Sequence, residues 1–174
     1  MNTYTDIVLS EKAVAVAKQN GYGTVLCNEV AFIVPKRPGD IRPVSGKVNV
    51  VVGGDEKINQ AAVRTKGVDV LLNPVNESEH AFDTATARVA KENGVTIAFS
   101  FGTILRTKGV QRVKLLKNFS FAIAIAKKMK ANVAIFSMAE DEWTSRSPVD
   151  MAAMMKVLGL TEAEALSTIK CDLK

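Results

Sequence analysis

Short apolar segments alternate with amphipathic segments along most of this chain. The strongest apolar segments are residues 47–52, 68–72, 95–99 and 132–137, with two shorter ones at 24–27 and 30–34. Strands that are apolar almost throughout and are separated by single helices are typical of a parallel sheet with helices packed outside it. About six or seven such units fit into the chain. This number permits either an open doubly wound sheet or a compact barrel, and it is short for an eightfold barrel of ~250 residues.

Helix boundaries are marked by capping residues. Asp55 is expected to cap a helix that reaches about Lys66, and Thr161 with Glu164 three positions on forms a capping-box pattern. Ser10 is predicted to cap the first helix, and residues 81–93 are predicted to form another. The longest predicted helix spans residues 110–130, and its apolar residues at three- and four-residue spacing are Val113, Leu116, Phe119, Ile123 and Ala126.

Composition predicts one globular domain, residues 1–174. Apolar residues make up 47% of the chain and charged residues 24%, and the longest apolar run is far shorter than the ~20 residues of a membrane span. Cys27 and Cys171 are isolated thiols, and residues 1–10 have no signal-peptide pattern. We therefore expect a cytoplasmic protein that does not interact with membranes.

Positive charge is concentrated in one stretch. No acidic residue occurs between Glu92 and Glu140, whereas the same stretch holds eight basic ones: Arg106, Lys108, Arg112, Lys114, Lys117, Lys127, Lys128 and Lys130. Such a cluster favours a polyanionic partner through release of condensed counterions, but it is equally compatible with a solvated helix face.

The sequence offers little catalytic chemistry. His80 is the only histidine, too few for the ligand set of a metal-dependent barrel hydrolase, and no nucleophile motif is present. Gly53-Gly54-Asp55 lacks the phosphate-loop frame, which favours a tight turn followed by a helix cap. A binding protein built on an enzyme-like architecture is the prediction.

Several segments, in order and spacing, carry a resemblance to a known family. They are residues 51–63, 68–74, 87–94 and 97–101, then Ile104-Leu-Arg106, Gly109 and Arg112, and finally residues 145–151 leading to Leu158-Gly159. This set, over about residues 47–170, resembles archaeal ribonuclease P protein component 3, the subunit related to the eukaryotic thirty-kilodalton one.

The resemblance implies a TIM-barrel-like α/β fold of about seven parallel strands, related to the polymerase and histidinol phosphatase barrel but without its metal site. It also implies a largely non-catalytic subunit of ribonuclease P, the RNA-based endonuclease that removes the 5′ leader from precursor tRNA. The implied partners are RNase P RNA, component 2 and, through the complex, precursor tRNA. No cofactor is expected on the protein, and Mg²⁺ is expected to serve the RNA.

The chain departs from the family pattern at two turns. Asn73-Pro74 stands where family members often have His-Pro, and Gly102-Thr103 stands where they often have Arg-Pro. The first forty residues match poorly, and the approach to Arg146 is altered. No RNA-binding role is carried over to Gly102.

Within this frame we predict the following RNA-binding residues: Arg106, Lys108, Arg112, Lys114, Lys117, Lys128 and Arg146. Arg106 and Arg112 are placed in the loop and first turn before the long helix, and the arginines can hold a phosphate with two parallel hydrogen bonds. In a parallel barrel the loops after the strands share one rim, so the segments carrying Arg106 and Arg146 should be neighbours. Trp143 is predicted to contact a protein partner.

Two other functions remain open at this point. A small α/β enzyme could bind a phosphorylated metabolite with Arg106, Lys108 and Arg146, using Asp55 or Glu140 as general base. A purely structural subunit would bind protein and leave RNA untouched.

Overall fold

The computed structural model describes residues 4–173, which form seven strands, seven α-helices and one short 3₁₀ helix at Pro38–Asp40. The strands are β1 Thr5–Ile7, β2 Thr24–Leu26, β3 Val30–Ile33, β4 Val48–Val52, β5 Val70–Leu72, β6 Thr96–Ser100 and β7 Val133–Phe136. The helices are α1 Glu11–Gln19, α2 Glu56–Arg64, α3 Thr84–Glu92, α4 Phe101–Arg106, α5 Gly109–Met129, α6 Pro148–Val157 and α7 Glu162–Ser167. No helix within these residues is long and apolar enough to cross a bilayer.

Every strand pairing is parallel, as predicted. One sheet has the order β3-β4-β5-β6-β7, and β1 pairs with β2 in a second sheet. Only residues 27–29 connect β2 to β3, too few for the crossover of a dozen or more residues that side-by-side parallel strands need. The two therefore occupy one strand position in succession, the first part against β1 and the second against β4.

The ring closes between β1 and the end of β7. Met138 N–H donates to the Ile7 carbonyl at 3.0 Å, and Leu9 N–H donates to the Ala139 carbonyl at 2.8 Å. Met138 has a left-handed backbone (φ 49°), which interrupts the regular ladder at this seam. At the amino ends of the same strands the carbonyl of Ile169 accepts from Thr5 N–H at 2.9 Å, so the C-terminal segment fills the gap. The TIM-barrel-like α/β fold is thus confirmed.

Successive side chains along each strand point to opposite faces of the sheet, which divides the core into two layers. Val50, Leu72 and Phe136 point to the inside of the ring, whereas Val51 and Leu71 pack against the outer helices. Both layers are fully buried at these positions, which explains why the strands read as continuously apolar.

Several predicted boundaries are confirmed and others were wrong. Asp55 caps α2 by accepting from Ile58 N–H at 3.0 Å, and Thr161 and Glu164 form the capping box of α7. Helix α3 begins three residues later than predicted because Asp83, not a residue before Ala81, provides the cap. Ser10 is the residue before α1 as predicted, but its side chain does not cap the helix, because its hydroxyl donates to the Glu140 carbonyl at 2.6 Å.

Candidate functional site

The loops that follow β6 and β7 meet at the carboxyl-terminal rim of the barrel. Helix α4 begins directly after β6, and Gly102 N–H donates to the Ser137 carbonyl at the end of β7 at 2.9 Å. A Cβ at Gly102 would lie 3.0 Å from that carbonyl oxygen and 3.1 Å from Nη1 of Arg106. Glycine therefore allows α4 to approach β7 closely and allows the Arg106 side chain to fold back over the turn.

Arg106 connects the two loops. Its Nη1 donates to Oε1 of Glu140 at 2.9 Å, and both side chains are about half exposed (50% and 58%). The predicted adjacency of the segments carrying Arg106 and Arg146 is confirmed by this contact, since Glu140 belongs to the loop that carries Arg146. An exposed ion pair of this kind contributes at most about 1 kcal/mol, so a phosphate could compete for the guanidinium.

A rigid turn orders the loop after β7. Oδ1 of Asp141 accepts from Trp143 N–H at 3.0 Å, from Thr144 N–H at 2.9 Å and from the Thr144 hydroxyl at 2.8 Å. The Thr144 hydroxyl is the main reason that the pKa of Asp141 is lowered. Arg146 then donates through Nη1 to the carbonyls of Trp143 and Ser145 at 2.7 and 2.8 Å. The turn leaves Trp143 78% exposed.

We call Arg106, Lys108 and Arg146 the basic rim. Arg106 ends helix α4, so its predicted placement in a loop was wrong, and Lys108 is an exposed residue between α4 and α5. Arg106 and Lys108 lie in the segment after β6 and Arg146 lies in the segment after β7, and the Arg106–Glu140 contact joins these two segments. The part of the second segment next to Arg146 runs beside the carboxyl end of α1, where the Ser145 hydroxyl accepts from the Asn20 side-chain amide at 3.1 Å. Guanidinium and ammonium groups of this kind suit the binding of phosphate oxygens.

Arg112 has a different environment. Its Nε donates to the Thr107 carbonyl at 2.6 Å and its Nη2 to the Leu105 carbonyl at 3.2 Å. These carbonyls lie at the carboxyl end of α4, so the half-buried guanidinium ties α4 to the first turn of α5. Its predicted RNA contact stays a prediction.

The three lysines predicted on α5 are exposed, but the helix is oriented differently from the prediction. Its buried residues are Leu115, Asn118, Phe119, Ala122, Ile123 and Ala126. The prediction was wrong for Val113, which is 67% exposed. Asn118 takes an inner position because its side-chain amide donates to the Asn76 carbonyl at 2.7 Å, a role that hydrophobic periodicity cannot reveal.

Two asparagine side chains whose contacts the sequence prediction missed, the half-buried Asn73 and the buried Asn59, hold the remaining rim loops. Asn73 has a left-handed backbone (φ 49°), accepts from Ser100 N–H at 2.9 Å and donates to the Thr103 hydroxyl at 3.1 Å. Asn59 donates to the carbonyls of Pro74 and Ala81, each at 2.6 Å. For Asn73 the available signal was its position at the end of a strand, because asparagine tolerates a left-handed turn.

Possible sites for hydrolytic chemistry have structural explanations. Among residues 4–173 no group of three or more His, Cys, Asp or Glu side chains is placed to hold a metal ion. His80 is exposed, with its ring edge-on to Phe121 at 5.3 Å between centroids. The N–H groups of Gly53 and Gly54 donate to the Leu72 carbonyl and the Asn59 side chain, so both backbone amides at this junction already have partners within the protein.

A cavity of about 460 Å³ lies at the opposite end of the barrel. Thr96 and Asn132, at the amino ends of β6 and β7, line it together with Lys130, Lys170 and Cys171. The pKa of the Cys171 thiol is raised by burial, which disfavours the reactive thiolate. Because its lining lies at the amino ends of the strands, this cavity is separate from the basic rim.

A ring of parallel strands, outer helices and a basic carboxyl-terminal rim define a TIM-barrel-like α/β protein suited to anion binding. The family model described as RNase P subunit p30 matches residues 39–172. The chain belongs to this family.

Similar proteins include ribonuclease P protein component 3 of Methanosarcina acetivorans, 32% identical over 143 residues, which cover 79% of this chain and 60% of that protein. The component 3 of Thermococcus gammatolerans is 28% identical over 85% of this chain and 69% of its own length. The chain thus spans about three fifths of the length of the Methanosarcina relatives that it matches.

Solved structures agree on the fold. A chain in a cryo-EM structure of archaeal ribonuclease P with mature tRNA superposes with a TM-score of 0.75 at 23% identity, covering 98% of this chain and 78% of that one. An amidohydrolase crystal structure superposes with a TM-score of 0.50 at 15% identity, covering 71% of this chain and 31% of that one. These similarities establish the architecture alone.

Proposed function

We propose that this chain is a protein subunit of ribonuclease P, the ribonucleoprotein that removes the 5′ leader from precursor tRNA. The observation that carries the proposal is membership of the RNase P subunit p30 family over residues 39–172. Curated relatives named ribonuclease P protein component 3 match 79% of the chain, which supports the same role.

The chain binds RNase P RNA through the basic rim. Arg106 and Arg146 supply planar guanidinium groups and Lys108 supplies a point charge, which together suit backbone phosphates rather than base edges. Arg112 positions α4 beneath this rim. The RNA is the catalyst, Mg²⁺ serves the RNA, and the protein stabilises the folded catalytic domain together with component 2.

The protein-partner contact is assigned to Trp143. Its side chain is 78% exposed on a turn that Asp141 already orders, so docking would cost little conformational entropy of the loop. Tryptophan is enriched at the centres of protein interfaces.

A metabolite enzyme is less compatible with the same rim. Glu140 is held by Arg106, and Asp55 caps α2. Both carboxylates considered as the general base therefore have structural partners.

Reconstitution tests the proposal. RNase P RNA and component 2 are combined with and without this chain, and cleavage of precursor tRNA is measured at limiting Mg²⁺. We expect the chain to raise the cleavage rate, and the Arg106→Ala/Arg146→Ala variant to lose most of that gain. Arg64→Ala is the matched control, because this exposed arginine lies at the end of α2, away from the rim. An unchanged rate when the chain is omitted would refute the proposal.

A further inference from the structure

One long surface of α5 combines exposed apolar side chains with unpaired positive charge. Val110 is 71% exposed, Val113 67% and Phe121 51%. At about 3.6 residues per turn they lie on the side of the helix opposite its buried residues. The lysines Lys114, Lys117 and Lys128 share this side. We call these six residues the α5 outer face.

The charge of this face is not neutralised locally. None of its three lysines has a carboxylate within 4.0 Å among residues 4–173, whereas Lys127, one position before Lys128, is paired with Glu164. Helix α5 itself contains no acidic residue. The loop next to Phe121 carries Glu77 and Glu79, so negative charge borders the face on that side.

The face continues into a shallow groove between α5 and the end of α6. Its volume is about 530 Å³, and Ile123, Ala124 and Leu158 line it together with Lys128. From Val110 to Lys128 the surface is roughly 27 Å long, about five helical turns. A partner helix of similar length would cover it completely.

We propose that the α5 outer face binds a helical segment of a protein partner that has an apolar stripe flanked by Asp and Glu side chains. RNA phosphates would satisfy the lysines but would leave Val110 and Val113 in contact with a highly charged backbone. An acidic amphipathic helix satisfies both, because its apolar stripe covers the valines and Phe121 while its carboxylates meet the lysines. The lysines of α5 therefore contribute to a protein interface instead of the RNA contacts predicted for them from sequence.

The inference rests on the proposed function in one respect: the partner is sought within the ribonuclease P holoenzyme. The test places the photo-crosslinking amino acid p-benzoylphenylalanine at Val113 in the reconstituted holoenzyme with all its protein subunits. Val149 is the control position, since it is 76% exposed at the start of α6 and lies outside the face. The crosslinked species are identified by mass spectrometry.

A crosslink from position 113 to an Asp- and Glu-rich helical segment of another protein subunit is the expected result. Crosslinking to RNA, to a second copy of this chain, or at no more than the level of position 149 would overturn the proposal. Precursor-tRNA cleavage with and without the chain is measured on the same samples. Lost dependence of cleavage on the chain would refute the proposed function, whereas the crosslinked partner alone decides the inference.

Two matched variants separate protein from RNA binding. Val110→Ser/Val113→Ser and the triple change of Lys114, Lys117 and Lys128 to Gln should each weaken association with the crosslinked subunit at least tenfold. Both should leave affinity for RNase P RNA within about twofold, and Val149→Ser should change neither. If only the lysine variant has an effect, and that effect is weaker binding to RNase P RNA, the α5 outer face belongs to the RNA interface and the proposal is wrong.

Discussion

Asp6 in β1 makes the stability of this protein depend on pH near neutrality. Its carboxylate is fully buried, and Oδ1 accepts from Ile7 N–H at 2.9 Å and Ser137 N–H at 2.7 Å, which joins β1 to the end of β7. Oδ2 has no hydrogen-bond partner among the described residues. Burial raises the pKa of Asp6 to about 7, and hydrogen bonds from Ser137 and Ile7 oppose the rise only in part.

The raised pKa of Asp6 determines how the free energy of unfolding changes with pH. The folded state holds the Asp6 proton more tightly than the unfolded state, whose pKa is near 3.8. The stabilisation is therefore complete below the unfolded pKa of 3.8, is lost progressively as pH rises from there through about 7, and does not change further above that. A pKa change of this size corresponds to about 4 kcal/mol, a large part of the 5–15 kcal/mol typical of a domain.

Asp6→Asn isolates the effect, because the amide keeps Oδ1 for the two N–H groups and does not titrate. Free energies of unfolding are measured in urea from pH 5 to 8.5 by far-ultraviolet circular dichroism, since the exposed Trp143 is a poor reporter of unfolding. Relative to wild type, the variant should gain about 3 kcal/mol of stability between pH 5 and about 7.5, and the difference should then level off. A difference that stays constant across this range, or that shrinks as pH rises, would refute the reasoning.

Three further outcomes follow from the rim. Arg112→Ala should lower the free energy of unfolding by about 1–3 kcal/mol in urea melts, because the carbonyls of Thr107 and Leu105 lose charged donors; a change below ~0.5 kcal/mol would show that the guanidinium is not structural. Gly102→Ala should reduce both stability and reconstituted cleavage, since the added Cβ would crowd the Ser137 carbonyl, and normal values for both would contradict this packing. The purified protein alone should show no EDTA-sensitive hydrolysis of phosphate esters. Such activity would contradict the non-catalytic role if a variant of this chain lacked it, because a contaminating enzyme would then be excluded.

The parallel barrel could be predicted from sequence because its strands are buried on both faces. The predicted segments 47–52, 68–72 and 132–137 each contain a strand of the ring, and segment 95–99 covers all but the last residue of β6. Strand β1 was missed because it has only three residues and Asp6 is the central one. The buried Asp6 carboxylate takes the place of a backbone acceptor between β1 and β7. In the sequence, an aspartate among polar residues is instead typical of a turn.

The site could be predicted only in part. Arginines on loops after adjacent strands are a topological signal, and the contact between Arg106 and Glu140 confirmed the adjacency. The orientation of α5 could not be predicted, because apolar residues lie on nearly every side of it and Asn118 is an inner residue. The carbonyl contacts of the Arg112 guanidinium could not be predicted either, because they depend on the short helix α4, which no periodicity indicated.

The salt dependence of binding to RNase P RNA tests the central claim, that the basic rim holds RNA phosphates. Each lost phosphate contact should reduce the slope of log affinity against log salt by about one. Replacing Arg106, Lys108 and Arg146 together by Ala should therefore flatten the slope by roughly two to three, with Arg64→Ala leaving it unchanged. An unaltered slope in the triple variant would contradict the account.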